Sequence, residues 1–368
     1  MTQPSSPGSL GPDPLGPDPS APDPSGPGPS GPDSAGADSA GPDSAATSGA
    51  DHRDIVAAVI VTYRPDLERL EAVLGAVGPQ VCSLVVVDNG SPEAHEVARL
   101  VDAIPAARLV ALEENHGIAA GFNAGIATAL SGSPEIAWVL TLDQDSLLQR
   151  AAVSTALDRL ATLQPAISSR CGVIGLRHRP VMADRGLWRL AERRLDLGDL
   201  GTFRRRLLLI SSGNLVRSEV AESCRFDERL FIDQVDHDFC AEVREAGFEL
   251  FELKQVLMDH RIGRDVRVGK VRRPYENGQR LYYIVRNSTE LVWRRRLPPS
   301  VWLAQLATWT RSYLGLHGTR SLGRYLAIVT AGLADFALRR FGRREYRFLR
   351  EPRPRSDDRR LHPGPTPD

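Results

Sequence analysis

Two carboxylates, Asp143 and Asp145, stand two positions apart where the apolar run Val139-Leu140-Thr141-Leu142 stops. Oxygen donors at that spacing suit a hard divalent cation, and a cation that keeps open positions can hold a diphosphate. Asp88 closes a second run, Leu84-Val85-Val86-Val87, and leads into the turn residues Asn89-Gly90-Ser91. His260 ends a third, in Val256-Leu257-Met258-Asp259-His260. Imidazole is a good third ligand beside carboxylates. In isolation a D-x-D is an ordinary solvated turn, and a lone histidine an ordinary hydrogen-bonded structural residue. The order of the segments around them argues for more.

If the runs are buried strands, their period of two points Asp143 and Asp145 to one side at the strand end. Open α/β sheets bind ligands at such carboxyl ends. Strand-like runs near 55–62, 84–88, 107–112 and 136–142 alternate with helical patterns near 66–76, 93–103, 118–130 and 149–163. That alternation predicts a mostly parallel, doubly wound sheet. Between the third and fourth runs, Asn115, Gly117, Gly121, Asn123 and Gly125 read N-x-G-x3-G-x-N-x-G. Glycines there let backbone approach a ligand closely, and a helix opening near Gly117 would aim N–H groups at phosphate. Packing or capping would use the same glycines. A further strand pair is expected near 171–176 and 206–212, separated by an Arg-rich loop over 178–205 that is long for a compact domain. Helices follow near 216–223 and 236–246, and Asp233 and Asp236 stand where acids cap a helix.

Composition divides the chain. From Gly11 to Ala45 it repeats in fives (GPDPL, GPDPS, APDPS and onward) without an aromatic residue. Such a stretch cannot bury enough apolar surface to offset the entropy of ordering, so residues 1–52 are expected to be a disordered tail, as are 346–368. The start lacks the basic and apolar regions of a signal peptide, which makes the cytoplasm the expected location. The zero net charge conceals an asymmetry: residues 1–50 hold six Asp and no Lys or Arg, so residues 51–368 carry 46 basic against 40 acidic groups. The four cysteines, at 82, 171, 224 and 240, form no C-x-x-C pair and read as reduced core thiols.

Together, Thr62-Tyr63, V-V-D-N-G-S ending at Ser91, the N-x-G-x3-G-x-N-x-G element and Asp143-Gln144-Asp145 resemble the nucleotide-sugar half of family 2 glycosyltransferases of the GT-A fold. Within that family the similarity is to bacterial rhamnosyltransferases that use dTDP-rhamnose. It runs from about Val56 to about Asn287, roughly three fifths of the chain. The resemblance implies an inverting transferase in which Asp88 bonds the pyrimidine base and Thr62 and Tyr63 line its pocket. Asn115, Gly117 and Asn123 would hold ribose and phosphate. Asp143, Asp145 and His260 would hold Mg²⁺ or Mn²⁺ against the diphosphate, with Asp143 also touching the donor. Asp236 matches the second member of the family's E-D pair, the general base. Here Val235 replaces the glutamate, and Asp233 is the substitute carboxylate. Ser211-Ser212-Gly213-Asn214 resembles the loop that lines the acceptor side, and Tyr282-Tyr283-x-x-Arg286-Asn287 a rhamnosyltransferase element, which puts Ser212, Gly213 and Arg286 on that side too.

The GT-A domain is expected over 53–290. From Arg261 to Arg296, eleven basic residues against three acidic ones, interleaved with aromatics, suit a donor diphosphate and phospholipid head groups rather than nucleic acid. Segments near 300–316 and 321–341, within an extension over 291–345, read as amphipathic helices for packing or for lying in a membrane interface, at the inner face of the plasma membrane. The expected acceptor is a cell-surface or lipid-linked glycan. Competing readings are a UDP-sugar transferase, for example a galactofuranosyl transferase, a sugar nucleotidyltransferase, and a catalytically inactive glycan-binding subunit. A dinucleotide dehydrogenase is disfavoured, since no G-x-G-x-x-G follows the first strand.

Overall fold

The computed structural model describes residues 52–132, 135–178, 193–259, 265–268, 271–274 and 278–349, with only the backbone of 265–268 and 271–274. His260 lies outside the described residues, as do 1–51, 179–192 of the Arg-rich segment and 350–368. The start of the expected C-terminal tail, 346–349, is instead ordered: Tyr346 donates to Asp335 and Leu349 is buried.

The strands are β1 (Val56–Thr62), β2 (Ser83–Asp88), β3 (Ala107–Ala111), β4 (Trp138–Asp143), β5 (Leu147–Leu148), β6 (Cys171–His178), β7 (Asp196–Leu200), β8 (Phe203–Arg206), β9 (Asn214–Arg217) and β10 (Glu249–Asp259), with a separate hairpin of β11 (Asp265–Val268) and β12 (Val271–Pro274). The first ten form one mixed sheet in the order β3-β2-β1-β4-β9-β6-β10-β8-β7, with β5 paired to β10. The helices are α1 (Leu67–Val77), α2 (Ala94–Asp102), α3 (Ile118–Ser131), α4 (Ala152–Ala161), α5 (Pro165–Ser168), α6 (Ser218–Ser223), α7 (Val235–Glu245), α8 (Gly278–Trp293), α9 (Pro299–His317) and α10 (Leu322–Ala337).

β1 is buried along its whole length because helices cover both of its faces. Ala57, Val59 and Val61 enter one core with α3, α6 and α7. Val56, Ala58 and Ile60 enter another with α1, α2 and α4. Gly121 and Gly125 exist for this packing: a Cβ would lie 2.6 Å from Val61 Cγ1 at the first and 2.2 Å from Val59 Cγ1 at the second. They bring α3 onto the sheet and are not a phosphate cradle. A third core joins α8, α9 and α10 through Tyr282, Val285, Tyr313 and Ile328, with Phe231 and Leu349 at its edge.

The expected strand over 206–212 is a loop. Its leucines are apolar because Leu208 and Leu209 plug a core, not because they pair. Leu209 packs where a Cβ on Gly175 would sit, and its N–H donates to Cys240 Sγ at 3.3 Å. The antiparallel partner of β4 is instead β9, which runs directly into the helix α6. The end of the Arg-rich segment is the hairpin β7–β8, held to β10 by Arg205–Glu249 and Arg206–Glu252 pairs. All four cysteines are free thiols, and burial pushes Cys171 and Cys240 up to about 12.

Candidate active site

The parallel half of the sheet reverses its winding at β1: β2 and β3 lie to one side, β4 to the other. Ligands bind outside the carboxyl ends of strands at such a switch point. Register places Thr62 opposite Asp88 and Val61 opposite Asp143, so the two acids flank the end of β1.

Gln144, the middle residue of the D-x-D, closes the crevice. Its Oε1 accepts from Thr62 Oγ1 at 2.9 Å and from the Tyr63 N–H at 2.8 Å, which ties the acidic turn to the end of β1. Arg69 of α1 does the same from behind. Its guanidinium donates to the Asp145 carbonyl at 3.0 and 2.8 Å and to the Asp259 carbonyl at 3.2 Å. The β5–β10 pairing sets Leu147 opposite Asp259. The turn after Asp143 and the end of β10 are thereby held side by side. Sequence reasoning missed both residues. Gln144 had a signal in its place between two candidate ligands, whereas Arg69, far away in the chain, had none.

Asp88 is fully buried. Its Oδ2 accepts the Ser91 N–H at 3.0 Å, while its Oδ1 has no hydrogen-bond partner among the described residues. Asn89 holds the neighbouring loop: its Nδ2 donates to the Gly117 carbonyl at 3.0 Å and its Oδ1 accepts the His116 N–H at 3.0 Å. Asn115 Oδ1 accepts the Gly117 N–H at 2.9 Å. Gly117 has φ +91°, and a Cβ there would stand 2.3 Å from the Phe231 carbonyl oxygen. Its need for glycine comes from that contact. Asn123, expected on the donor side, has its whole amide engaged elsewhere: Nδ2 donates to the Phe226 carbonyl and Glu228 Oε1, and Oδ1 accepts the Phe226 N–H. It fastens α3 to the segment that leads to Asp236.

That segment is strained. Phe231, Asp233 and Gln234 all have positive φ without being glycine, an arrangement that persists only when surroundings over-determine it. Asn287 Nδ2 donates to the carbonyls of Leu230, Ile232 and Asp233 at 2.9, 2.8 and 2.9 Å. Arg286 donates to the Leu230 carbonyl at 3.0 Å, the Gly342 carbonyl at 2.9 Å and Asn287 Oδ1 at 2.9 Å. Its guanidinium lies over Tyr283 and Tyr282, and burial pulls its pKa below the ordinary arginine value. Arg286 is therefore no acceptor contact: it is fully buried with its donors engaged. Asp236, half-buried in the first turn of α7, takes its place from this clamp.

Asp233 does not stand in for the absent glutamate as an unpaired acid, since Arg280 Nη2 reaches its Oδ1 at 2.6 Å. Val235 is itself in the core. The Ser212 loop also differs from expectation. Ser212 is 2% exposed, its hydroxyl accepts the Asp143 N–H at 2.9 Å and meets Ser146 Oγ at 2.6 Å, and Gly213 beside it is buried against Met258. Both support the D-x-D from behind and do not face an acceptor. Farther along α7, burial raises Asp238 while Arg296 and Arg294 oppose the shift, at 2.8 and 3.1 Å.

A cavity of about 700 Å³ opens beside the switch point, between Tyr63 and Asn115, Ile232 of the strained turn, Tyr283 of α8, and Tyr346 of the C-terminal segment. Its size suits a nucleotide or a sugar. Among the described residues no three His, Cys, Asp or Glu side chains form a metal-binding cluster. Asp143 and Asp145 are half-buried oxygen donors of the kind hard cations take.

The chain is an α/β protein with a mixed sheet, acids at the carboxyl ends of β2 and β4, and beside them a cavity that Tyr63 and Asn115 line but that Asp88, Asp143, Asp145 and Asp236 do not. Residues 58–215 match the model of glycosyl transferase family 2. The dTDP-rhamnosyl transferase RfbF of Shigella flexneri is 29% identical over 259 residues, 66% of this chain and 81% of that protein. Residues 58–215 thus carry a family 2 glycosyltransferase domain, and the chain is similar to a rhamnosyltransferase of that kind. Among solved structures, GalNAc-T7 with UDP, GalNAc and Mn²⁺ aligns over 56% of this chain at 13% identity and a TM-score of 0.45, and the chain spans only 43% of its length. Glucosyl-3-phosphoglycerate synthase from Mycobacterium tuberculosis, in complex with Mn²⁺, UDP and phosphoglyceric acid, aligns over 56% of this chain and 71% of its own at 19% identity and a TM-score of 0.40.

Proposed function

We propose that the protein transfers L-rhamnose from dTDP-rhamnose, with inversion, to a hydroxyl of a cell-surface or lipid-linked glycan, in the cytoplasm at the inner face of the membrane. The observation that carries the donor half is the unspent Oδ1 of buried Asp88 at the end of β2. A buried acceptor without a donor calls for a ligand N–H, and the imide N–H of a thymine or uracil base is such a donor. Thr62 and Tyr63, beside it, line the base pocket, and Asn115 and Gly117 face the ribose and phosphate. The similarity to a dTDP-rhamnosyl transferase favours thymine and a deoxyhexose.

Asp143 and Asp145, with His260 one peptide beyond Asp259, are the residues that would hold Mg²⁺ or Mn²⁺. When bound, the cation supplies neutralisation of charge on the leaving diphosphate. Asp236 takes the proton from the acceptor hydroxyl as that oxygen attacks the anomeric carbon from the face opposite the diphosphate. A single displacement inverts the centre. The clamp of Arg286 and Asn287 fixes where Asp236 stands.

The test is a thermal-shift screen of dTDP-, UDP- and GDP-sugars with and without Mn²⁺, followed by transfer assays. The expected result is selective stabilisation by the dTDP donor, enhanced by Mn²⁺. A response to UDP donors alone would move the protein to the UDP-sugar transferases, and none to any donor would leave the inactive-subunit reading standing.

A further inference from the structure

The helix α10 has two faces of opposite character. Ile328, Gly332 and Asp335 are buried against α8, where a Cβ on Gly332 would meet Val285 and the Tyr282 carbonyl at 3.0 to 3.1 Å. The exposed residues on the opposite face are Leu322, Leu326, Thr330, Leu333 and Ala337, at i, i+4 and i+3 spacings, with Gly323, Ala327, Ala334 and Leu338 beside them. None is charged. Leu326 is 54% and Leu333 40% exposed. The stripe runs the length of a helix of 16 residues, about 24 Å at ~1.5 Å per residue. Trp293, 73% exposed, packs edge-on to Phe336 and widens it. Apolar patches of this extent mark interaction sites.

Charge decides the partner. Between Trp293 and Arg340 there are eight arginines and one acid, Asp335, buried under Tyr282 and Tyr346. Arg294, Arg296 and Arg339 pair with acids outside that window, which leaves Arg320 and Arg340 as the exposed charges at the two ends of the stripe. Pairing with a second copy, parallel or antiparallel, would set arginines against arginines. An apolar face with cationic ends matches the interface of an anionic bilayer, where the helix lies flat with its arginines at the head groups. No described helix is long and apolar enough to cross a membrane.

We propose that the outer face of α10 docks the enzyme on an anionic lipid surface. This rests on the proposed function only for its purpose, the delivery of a lipid-linked acceptor. One helix layer separates the stripe from the cavity: α8, on which α10 packs, carries Tyr283 to the cavity wall. Arg324 of α10 donates to the Phe348 carbonyl at 3.0 Å, next to Tyr346 and Leu349 of the same wall. A membrane under α10 therefore lies close to the site without covering it.

The experiment is cosedimentation of the full chain with vesicles of phosphatidylcholine, alone or mixed with phosphatidylglycerol. Binding is expected to the mixed vesicles, weakening with salt, and the Leu326→Glu/Leu333→Glu variant should lose at least about tenfold in partition. Both positions are exposed, so its thermal melt should match wild type. Arg320→Glu/Arg340→Glu should abolish the preference for phosphatidylglycerol. Failure of the wild type to bind either vesicle, equal binding by the double-leucine variant, or a solution dimer that this variant dissociates would each overturn the proposal. Vesicle binding by a protein that ignores every nucleotide sugar would uphold this surface while removing the donor assignment.

Discussion

Asp88 and Arg286 are both ionisable, both fully buried and both in motifs, yet their hydrogen bonding is opposite. Arg286 donates to two carbonyls and an amide and lies on aromatic rings, so its hydrogen-bonding capacity is consumed inside the protein. Asp88 keeps one oxygen without a partner. The first pattern is architecture, and the second is what the proposed base contact requires, because a buried acceptor left unmade costs about 1–3 kcal/mol. The same contrast divides the rest of the site. Asn123, Ser212 and Asn287 are spent on backbone, and they position the edge of the crevice and the turn before Asp236.

The contrast can be sharpened by substitution. The largest effect is expected at Asp236→Asn, where loss of a general base should reduce turnover by about 10² to 10⁴ while calorimetry finds donor affinity unchanged. Turnover equal to wild type would remove Asp236 from the mechanism. Arg286→Leu should lower stability by about 3 kcal/mol in denaturant titration, since it orphans buried carbonyls and releases a strained turn. A variant as stable as wild type, with donor binding lost instead, would return Arg286 to the ligand side. Gly125→Ala should also destabilise, by about 2 kcal/mol from overpacking against Val59. That sign opposes the usual gain from alanine in a helix, and a raised melting temperature would show that the α3 glycines serve something other than packing.

A smaller effect concerns pH. Cys171 and Cys240 stay protonated in the fold up to about 12, whereas in the unfolded chain they ionise near the ordinary value of 9.0. Their contribution is complete below about pH 9 and is lost as pH rises toward 12, because the unfolded state then holds fewer protons. Melts of wild type and a Cys171→Ala/Cys240→Ala variant should converge across that window. A gap that widens with pH would contradict the burial assignment.

Much of this was legible in the chain. The β-branched runs of β1, β2 and β4 announce buried strands, and the acids that end them announce the crevice. β9 escaped notice because it is four residues long and the apolar run before it, Leu207-Leu208-Leu209-Ile210, looks more like a strand. A leucine that plugs a core and a leucine that lines a strand are the same letter. The roles of Arg69, Ser212 and Arg286 were hidden for another reason. Polar residues reveal whether they serve ligand or backbone only when their partners are known, and those partners lie across the sheet or in another helix.

Isothermal titration of dTDP into wild type and Asp88→Ala tests the central claim most directly. The account predicts binding to wild type and no measurable binding to the variant. Equal dTDP affinity in the two proteins would contradict it.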